Sequence, residues 1–368
     1  MNHEILVEKL YRAGFRGTFH QWLSSYLEGR KQYVKYKGVN SQCLSIGCGV
    51  PQGSTMGPLL FLIYVNSILE LKLQGPVFSF ADDTAIVYSD DEIEDAKIKC
   101  EADLHKLSNW FIYHKISPNL NKTKSIQYSY KKNKEENGTT ITWHLPSCRN
   151  KPCNCTEIEE ASEIKYLGII INSNLNWQTH FGYLQNKLRK INYLLYQLKK
   201  SVPPRVKLRV YQALYEPVLS YGIECWGGAA EYIKQPVLVL QKAAIRAVVG
   251  AGYRDHTAPI FNKLKILPFK ALYTRSLIRL IHRKVIMPVE KETGARTLRF
   301  SGYRTPRWRS TKARIQAPYQ APMQCSTLPY NLRLYLGHPS FPKRLKQYLL
   351  DQLKDTDQKQ RKTSIKQY

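Results

Sequence analysis

A chain of 368 residues with 56 Lys and Arg against 28 Asp and Glu carries a formal charge of +28. That length supports two or three domains with a sizeable core. The imbalance points to a polyanionic partner, nucleic acid first and an acidic membrane surface second. The longest apolar run, around Leu59 to Val65, falls far short of the roughly 20 residues of a spanning helix, and charge appears early at the N-terminus. An intracellular protein of nucleus or cytoplasm is therefore expected, with no membrane association and with its eight cysteines reduced. The 25 tyrosines suit stacking against bases, although most are expected in the core.

In chain order, residues 1 to about 130 mix short strands and helices. Gly49-Val50-Pro51-Gln52-Gly53-Ser54-Thr55-Met56-Gly57-Pro58 precedes an apolar, helix-like run. Gly53 and Gly57 permit close backbone approach, and Ser54 or Thr55 can cap the helix, whose N-terminus favours an anion such as phosphate. Next comes Phe78-Ser79-Phe80-Ala81-Asp82-Asp83-Thr84-Ala85-Ile86-Val87-Tyr88, where two carboxylates interrupt aromatic and β-branched flanks. The flanks read as the buried arms of a hairpin with Asp82 and Asp83 at its turn. Paired carboxylates there form an oxygen-rich site suited to Mg²⁺, while Asp-Asp is also ordinary turn chemistry.

Ile93 to Phe111 reads as a helix with Ile98, Leu104, Leu107 and Phe111 on one side. A polar insertion, Lys131 to Ser162, contains His144, Cys148, Cys153 and Cys155. These are zinc-type ligands, but Cys-x4-Cys-x-Cys is no familiar finger spacing, so reduced loop cysteines are expected there rather than zinc. Phe181, Leu184, Leu188, Ile191, Leu195 and Leu198 then fall at spacings of three and four. They define an amphipathic helix with Lys187, Arg189, Lys190, Lys199 and Lys200 largely off its stripe. Further helices are expected over 206–215, 237–249 and 271–285, with Pro217, Pro236 and Pro268 marking breaks. Between Arg296 and Leu350 there are eleven Lys or Arg and no acid, with prolines throughout. That composition argues against long helices and fits either a nucleic-acid-binding arm that orders on contact or a disordered basic tail.

The segments at Gly49–Ser54 and Phe80–Asp83 together resemble reverse transcriptases of non-LTR retrotransposons. Asn119-Leu120-Asn121-Lys122-Thr123-Lys124 is similar to the family's Lys-Thr palm segment, and Lys165-Tyr166-Leu167-Gly168-Ile169 to its primer-gripping hairpin. Tyr221-Gly222-Ile223-Glu224-Cys225-Trp226-Gly227 is similar to a thumb landmark. The resemblance implies an α+β right-hand polymerase palm, an antiparallel sheet plus helices, followed by a helical thumb and a basic C-terminal extension. It implies a partial palm over 1–130, a Cys-containing insertion over 131–162, a primer-grip-like hairpin over 163–180, a helical thumb over 181–290 and a basic, Pro-rich tail over 291–368.

By the same resemblance, Asp82 and Asp83 are catalytic metal ligands, and Lys122 (or Lys124) meets the pyrophosphate leaving group. Gly49, Gln52, Gly53 and Ser54 line the template and nucleotide side. The implied partners are an RNA template, a DNA primer and deoxynucleoside triphosphates, with two Mg²⁺ ions. The segment Asn2–Leu10 resembles the tail of the family's Phe-Asp-x-Val-Asn-His motif, whose Asp would fall just before Met1. A two-metal site needs that carboxylate, so a truncated, catalytically incomplete polymerase lacking its fingers is expected, with an inactive nucleic-acid-binding relic as the alternative.

Overall fold

The computed structural model describes residues 1–128, 140–148, 155–199, 201–287, 303, 305–306 and 311–365, the side chains at 311–312 and from 355 onward excepted. The chain divides into two compact units, Met1–Gly168 and Ile169–Tyr368.

The first unit opens on the helix His3–Arg12. Asn2 caps it, its Oδ1 accepting the Ile5 N–H at 3.1 Å, and Glu4 and Arg12 sit at the ends that suit the helix dipole. Leu6 and Leu10 of this helix, Leu23 and Leu27 of Gly17–Leu27, and Leu60 and Tyr64 of Met56–Val65 bury one another in a small core. A second core gathers Ile68, Leu104, Leu107, Trp110, Trp143 and Ile158. It lies between the helix Ile93–Tyr113 and a three-stranded sheet. In that sheet Thr156–Glu160 is central, parallel to Lys124–Ser125 and antiparallel to Ile141–Trp143. Lys9 lies beside both cores: its Nζ donates to Tyr64 O and to Ser67 Oγ, and it stands 5.6 Å from the Trp110 ring. Burial pulls its pKa down to about 8.

The helix over 93–113 is present, but Ile98 is not on its buried side; it is 59% exposed. At 3.6 residues per turn Ile98 lies about 150° around the helix from the row Leu104, Leu107 and Phe111. The buried row instead takes in Asp103 and Trp110.

The second unit is helical from Gln178 onward, around one large core. The helix Gln178–Gln197 buries Phe181, Leu184, Leu188 and Leu195, as its periodicity requires, and leaves Lys187, Arg189 and Lys190 outside. Gln241 is wholly buried and fully satisfied. Its amide nitrogen donates to Tyr211 Oη and Leu267 O, each at 3.1 Å, and its carbonyl accepts the Phe269 N–H at 2.8 Å. That last bond fixes the start of the helix Phe269–His282, whose N-cap Pro268 has no side chain to do so.

Two expectations from proline fail here. Pro236 does not break a helix; it lies inside Glu231–Val249, on the exposed side, while Ile233 and Val237 are buried beside it. One missing hydrogen bond near the helix start is outweighed by that packing. Nor do the C-terminal prolines exclude long helices. Helices Ala317–Ser326, Tyr330–Arg333 and Phe341–Ile365 form, the last 25 residues long. Pro318, Pro329 and Pro342 all lie at helix starts, where no N–H is needed. Leu332, Phe341, Leu345, Leu349 and Leu350 belong to the unit's core, so this part of the chain packs as its structure rather than trailing as a tail.

His180 yields a pH dependence. It is buried, its Nδ1 accepts the Ile170 N–H at 3.2 Å, and its Nε2 has no hydrogen-bond partner among the described residues. Burial first, and the Lys187 charge second, push its pKa from 6.5 down to about 4. Between those values the unfolded chain binds a proton that the folded unit refuses. Stability held above pH 6.5 is therefore lost as pH falls towards 4. Thermal unfolding of wild type and His180→Gln, which keeps an acceptor but cannot protonate, should show a smaller loss over that interval in the variant.

Candidate active site

Val77–Phe80 and Asp83–Ile86 pair as an antiparallel hairpin, with Phe80 opposite Asp83 and Val77 opposite Ile86. Ala81 and Asp82 form the two-residue turn, and Ala81 adopts the left-handed region at φ 54°. Asp82 and Asp83 are both exposed at this tip. Strand alternation puts Phe78, Phe80, Asp83 and Ala85 on one face, and Val77, Ser79, Thr84 and Ile86 on the other. Ser79 Oγ and Thr84 Oγ1 meet at 3.2 Å on the second face, and Ile86 packs against the Trp110 core. The first face is open: Phe78 is 53% and Phe80 66% exposed. The arms are thus not buried as their composition suggests. The hairpin pairs as strands only with itself among the described residues.

The base of the hairpin is clamped by Asp103, whose side chain is 0% exposed. Its Oδ2 accepts the Gln74 N–H at 2.6 Å, the Gly75 N–H at 3.3 Å and the Tyr88 hydroxyl at 3.3 Å. Its Oδ1 pairs with Lys106 at 2.9 Å. One carboxylate in the helix Ile93–Tyr113 therefore ties the chain entering the hairpin to the chain leaving it. Burial opposes its charge, but the Lys106 bond and the two backbone N–H groups outweigh that and hold its pKa below the ordinary carboxylate value. Gly75 is required at this clamp, because a Cβ there would lie 2.6 Å from Val87 O and 2.7 Å from the Tyr88 ring. A further tie joins the strand Glu163–Tyr166 to the same hairpin, Tyr166 Oη donating to Phe78 O at 3.3 Å.

The glycine-rich segment is anchored by the start of the first helix. Gly49 donates its N–H to Met1 O at 2.7 Å and accepts from the His3 ring at 2.8 Å. Gly49 (φ 84°) and Gly53 (φ 80°) are left-handed, and a Cβ built on either would meet nothing within 4 Å, so the space around both is open. Gln52 is exposed. Ser54, rather than Thr55, caps the helix Met56–Val65, its Oγ accepting the Gly57 N–H at 3.0 Å and donating to Pro51 O at 2.8 Å. Gly57 fits that cap tightly, since a Cβ there would lie 3.0 Å from Ser54 Oγ.

Lys122 and Lys124 differ. Lys124 Nζ pairs with Glu159 at 2.8 Å across the parallel strands, whereas Lys122 is exposed and forms no ion pair among the described residues. Lys122 takes its backbone position from Asn119, whose carbonyl accepts both the Lys122 and Thr123 N–H groups. No third His, Cys or acidic side chain joins Asp82 and Asp83 in a metal-sized group among the described residues. Their oxygens suit Mg²⁺ in kind; in number they supply only part of a coordination shell that water and phosphate ordinarily complete. Of the His and Cys candidates, His144, Cys148 and Cys155 lie together, and Cys153 lies outside the described residues.

Asp103 was not singled out from sequence, although its signal was present: an acid beside Leu104, on the row that a helix of this period buries. Asp103→Ala should strand the Gln74 and Gly75 N–H groups and cost about 1–3 kcal/mol. Chemical denaturation measures the loss, and amide exchange should accelerate at Gln74, Gly75 and through residues 77–86.

Residues 1–171 match the family described as reverse transcriptase (RNA-dependent DNA polymerase). Curated relatives extend the similarity into the second unit. One, the RNA-directed DNA polymerase from mobile element jockey of Drosophila funebris, is 29% identical over 258 residues, 67% of this chain and 26% of the relative. The probable RNA-directed DNA polymerase from transposon BS of Drosophila melanogaster is 27% identical over 258 residues, covering 67% and 27%. The Pol polyprotein from the type-1 retrotransposable element R1 of Bradysia coprophila is 30% identical over 220 residues, covering 56% and 20%. The chain spans about a quarter of the length of such relatives. The Asp82–Asp83 hairpin and the Gly49–Ser54 segment both fall inside the matched region, so residues 1–171 read as a reverse transcriptase domain similar to those of mobile elements such as jockey.

Proposed function

We propose that this chain supplies palm and helical thumb to an RNA-directed DNA polymerase, which adds deoxynucleotides to a primer 3′-hydroxyl against an RNA template. The observation that carries this reading is the pair of exposed carboxylates at the tip of a hairpin clamped from below, within a reverse transcriptase domain. Asp82 is the principal ligand for Mg²⁺ and Asp83 the supporting one. When bound, the ions activate the 3′-hydroxyl and stabilise the departing pyrophosphate. Gly49, Gln52, Gly53 and Ser54 line the template and nucleotide side, where the open space beside both left-handed glycines admits a bulky partner. Lys122 rather than Lys124 neutralises the leaving group, because Lys124 is already engaged by Glu159.

In the second unit, the helix Gln178–Gln197 turns Lys187, Arg189 and Lys190 outward, with Tyr193 67% and Tyr196 66% exposed along the same outer side. This is the surface proposed to grip the duplex backbone, the lysines and arginine meeting phosphates. No helix among the described residues is long and apolar enough to cross a membrane, and nucleic acid is the polyanion that this reading assigns to the +28 charge.

A second reading, a nucleic-acid-binding protein that performs no chemistry, is favoured by one observation. Asp82 and Asp83 are not joined by a third carboxylate among the described residues, and two-metal transfer needs more donors than they provide. Primer extension on an RNA template with Mg²⁺ separates the two. Extension by wild type that disappears in Asp82→Ala, with primer–template affinity retained, identifies the chain as itself catalytic. Salt-sensitive binding without extension identifies it as the gripping part of an incomplete polymerase, and absence of binding refutes both readings. Neutralising Lys187, Arg189 and Lys190 together should weaken binding across all sequences. It should also reduce the slope of log affinity against log salt by roughly 1 for each phosphate left without its cation.

A further inference from the structure

Among the described residues one group of side chains has the chemistry and spacing to share a metal ion: His144, Cys148 and Cys155. Their ligand atoms all lie within 4.8 Å of one another, and Cys148 Sγ stands 3.7 Å from His144 Nδ1. Donors bonded to one tetrahedral zinc at ~2.0–2.3 Å are themselves about 3.5–3.8 Å apart, so the Cys148–His144 pair already has that spacing and Cys155 needs to close by about 1 Å at most.

The backbone explains why they converge. Ile141–Trp143 and Thr156–Glu160 pair with Trp143 opposite Thr156, and one further step along that register sets His144 opposite Cys155 at the open end of the ladder. Cys148 returns to the same end by a turn in which its N–H donates to Leu145 O at 2.9 Å, with Pro146 at the second position, where its fixed φ is favoured. All three side chains are half-buried. Sequence spacing hides this arrangement, since it counts the residues between ligands and not the ladder that brings two of them face to face.

We propose that His144, Cys148 and Cys155 bind a zinc ion that staples the open end of this ladder. Two thiolates and an imidazole select zinc over the hard ions suited to Asp82 and Asp83. Each thiol releases its proton to solvent as its sulfur bonds the metal. The remaining tetrahedral position goes to water or to a further donor. Ile141–Trp143 contributes Trp143 to the core beside the long helix, and Thr156–Glu160 is the sheet's central strand. The ion therefore fastens two strands of the sheet that leads into Glu163–Tyr166, whose Tyr166 bonds the Asp hairpin. Its role is structural, and it stands independently of whether the chain polymerises.

The test is metal content of the full chain, purified under reducing conditions without chelator. About one zinc per chain, falling to background in Cys148→Ser and in Cys155→Ser but retained in the exposed-cysteine control Cys43→Ser, is the expected result. Cobalt(II) added to metal-free wild type should give thiolate-to-metal charge-transfer absorption with the intense d–d bands of a tetrahedral ion. This readout does not depend on any variant folding. Wild type without zinc and without that absorption, or zinc retained in both Cys148→Ser and Cys155→Ser, overturns the proposal. So does a Cys148–Cys155 disulfide found by thiol counting in the reduced, chelator-free preparation.

Discussion

Asp103 is the constraint on which the first unit depends. A wholly buried carboxylate is unfavourable unless its oxygens are satisfied, and here they are satisfied by the groups whose positions matter: Gln74 and Gly75 before the Asp hairpin, Tyr88 after it, and Lys106 one helical turn along. The hairpin itself is two strands of four residues, below the size that holds together unaided in water. Its register therefore rests on what grips its ends. The clamp also accounts for Gly75, since the approach of the two chain ends leaves no space for a β-carbon. Charge at one buried helical position and absence of a side chain at another are two halves of one solution.

The two metal sites proposed for this unit differ in the hardness of their donors. Exposed oxygens at the hairpin tip suit an ion that exchanges water and phosphate readily. The half-buried sulfurs and imidazole of the Cys-containing segment suit one that stays. The chain leaving the strand Thr156–Glu160 runs on to Tyr166, whose hydroxyl bonds Phe78 O of the hairpin, and so links the two places.

Much of this was legible in the sequence because apolar period and turn chemistry are local. The helix Gln178–Gln197 follows from Phe181, Leu184, Leu188 and Leu195 alone, and the Asp hairpin follows from β-branched and aromatic flanks around two carboxylates. What sequence could not supply were outcomes decided by distant partners. The open aromatic face of Phe78 and Phe80 depends on which strands pair beside it. Asp103 acts on residues almost thirty positions away, and His144 meets Cys155 only through a ladder register. The prolines of the C-terminal region misled for a different reason. Composition counts them, whereas the helices place Pro318, Pro329 and Pro342 where a missing N–H costs nothing.

Ala81 carries a consequence for how the tip works. An L-residue with a β-carbon disfavours φ 54° by roughly 1–2 kcal/mol, so the turn holds a small strain beside the two carboxylates. The ladder below it and the clamp at its base keep the turn from relaxing into a looser loop. The backbone that carries Asp82 and Asp83 is thereby set by the fold itself. In the proposed Mg²⁺ role, part of the conformational cost of that end of the site would be met during folding, leaving more of the ion's binding energy for phosphate.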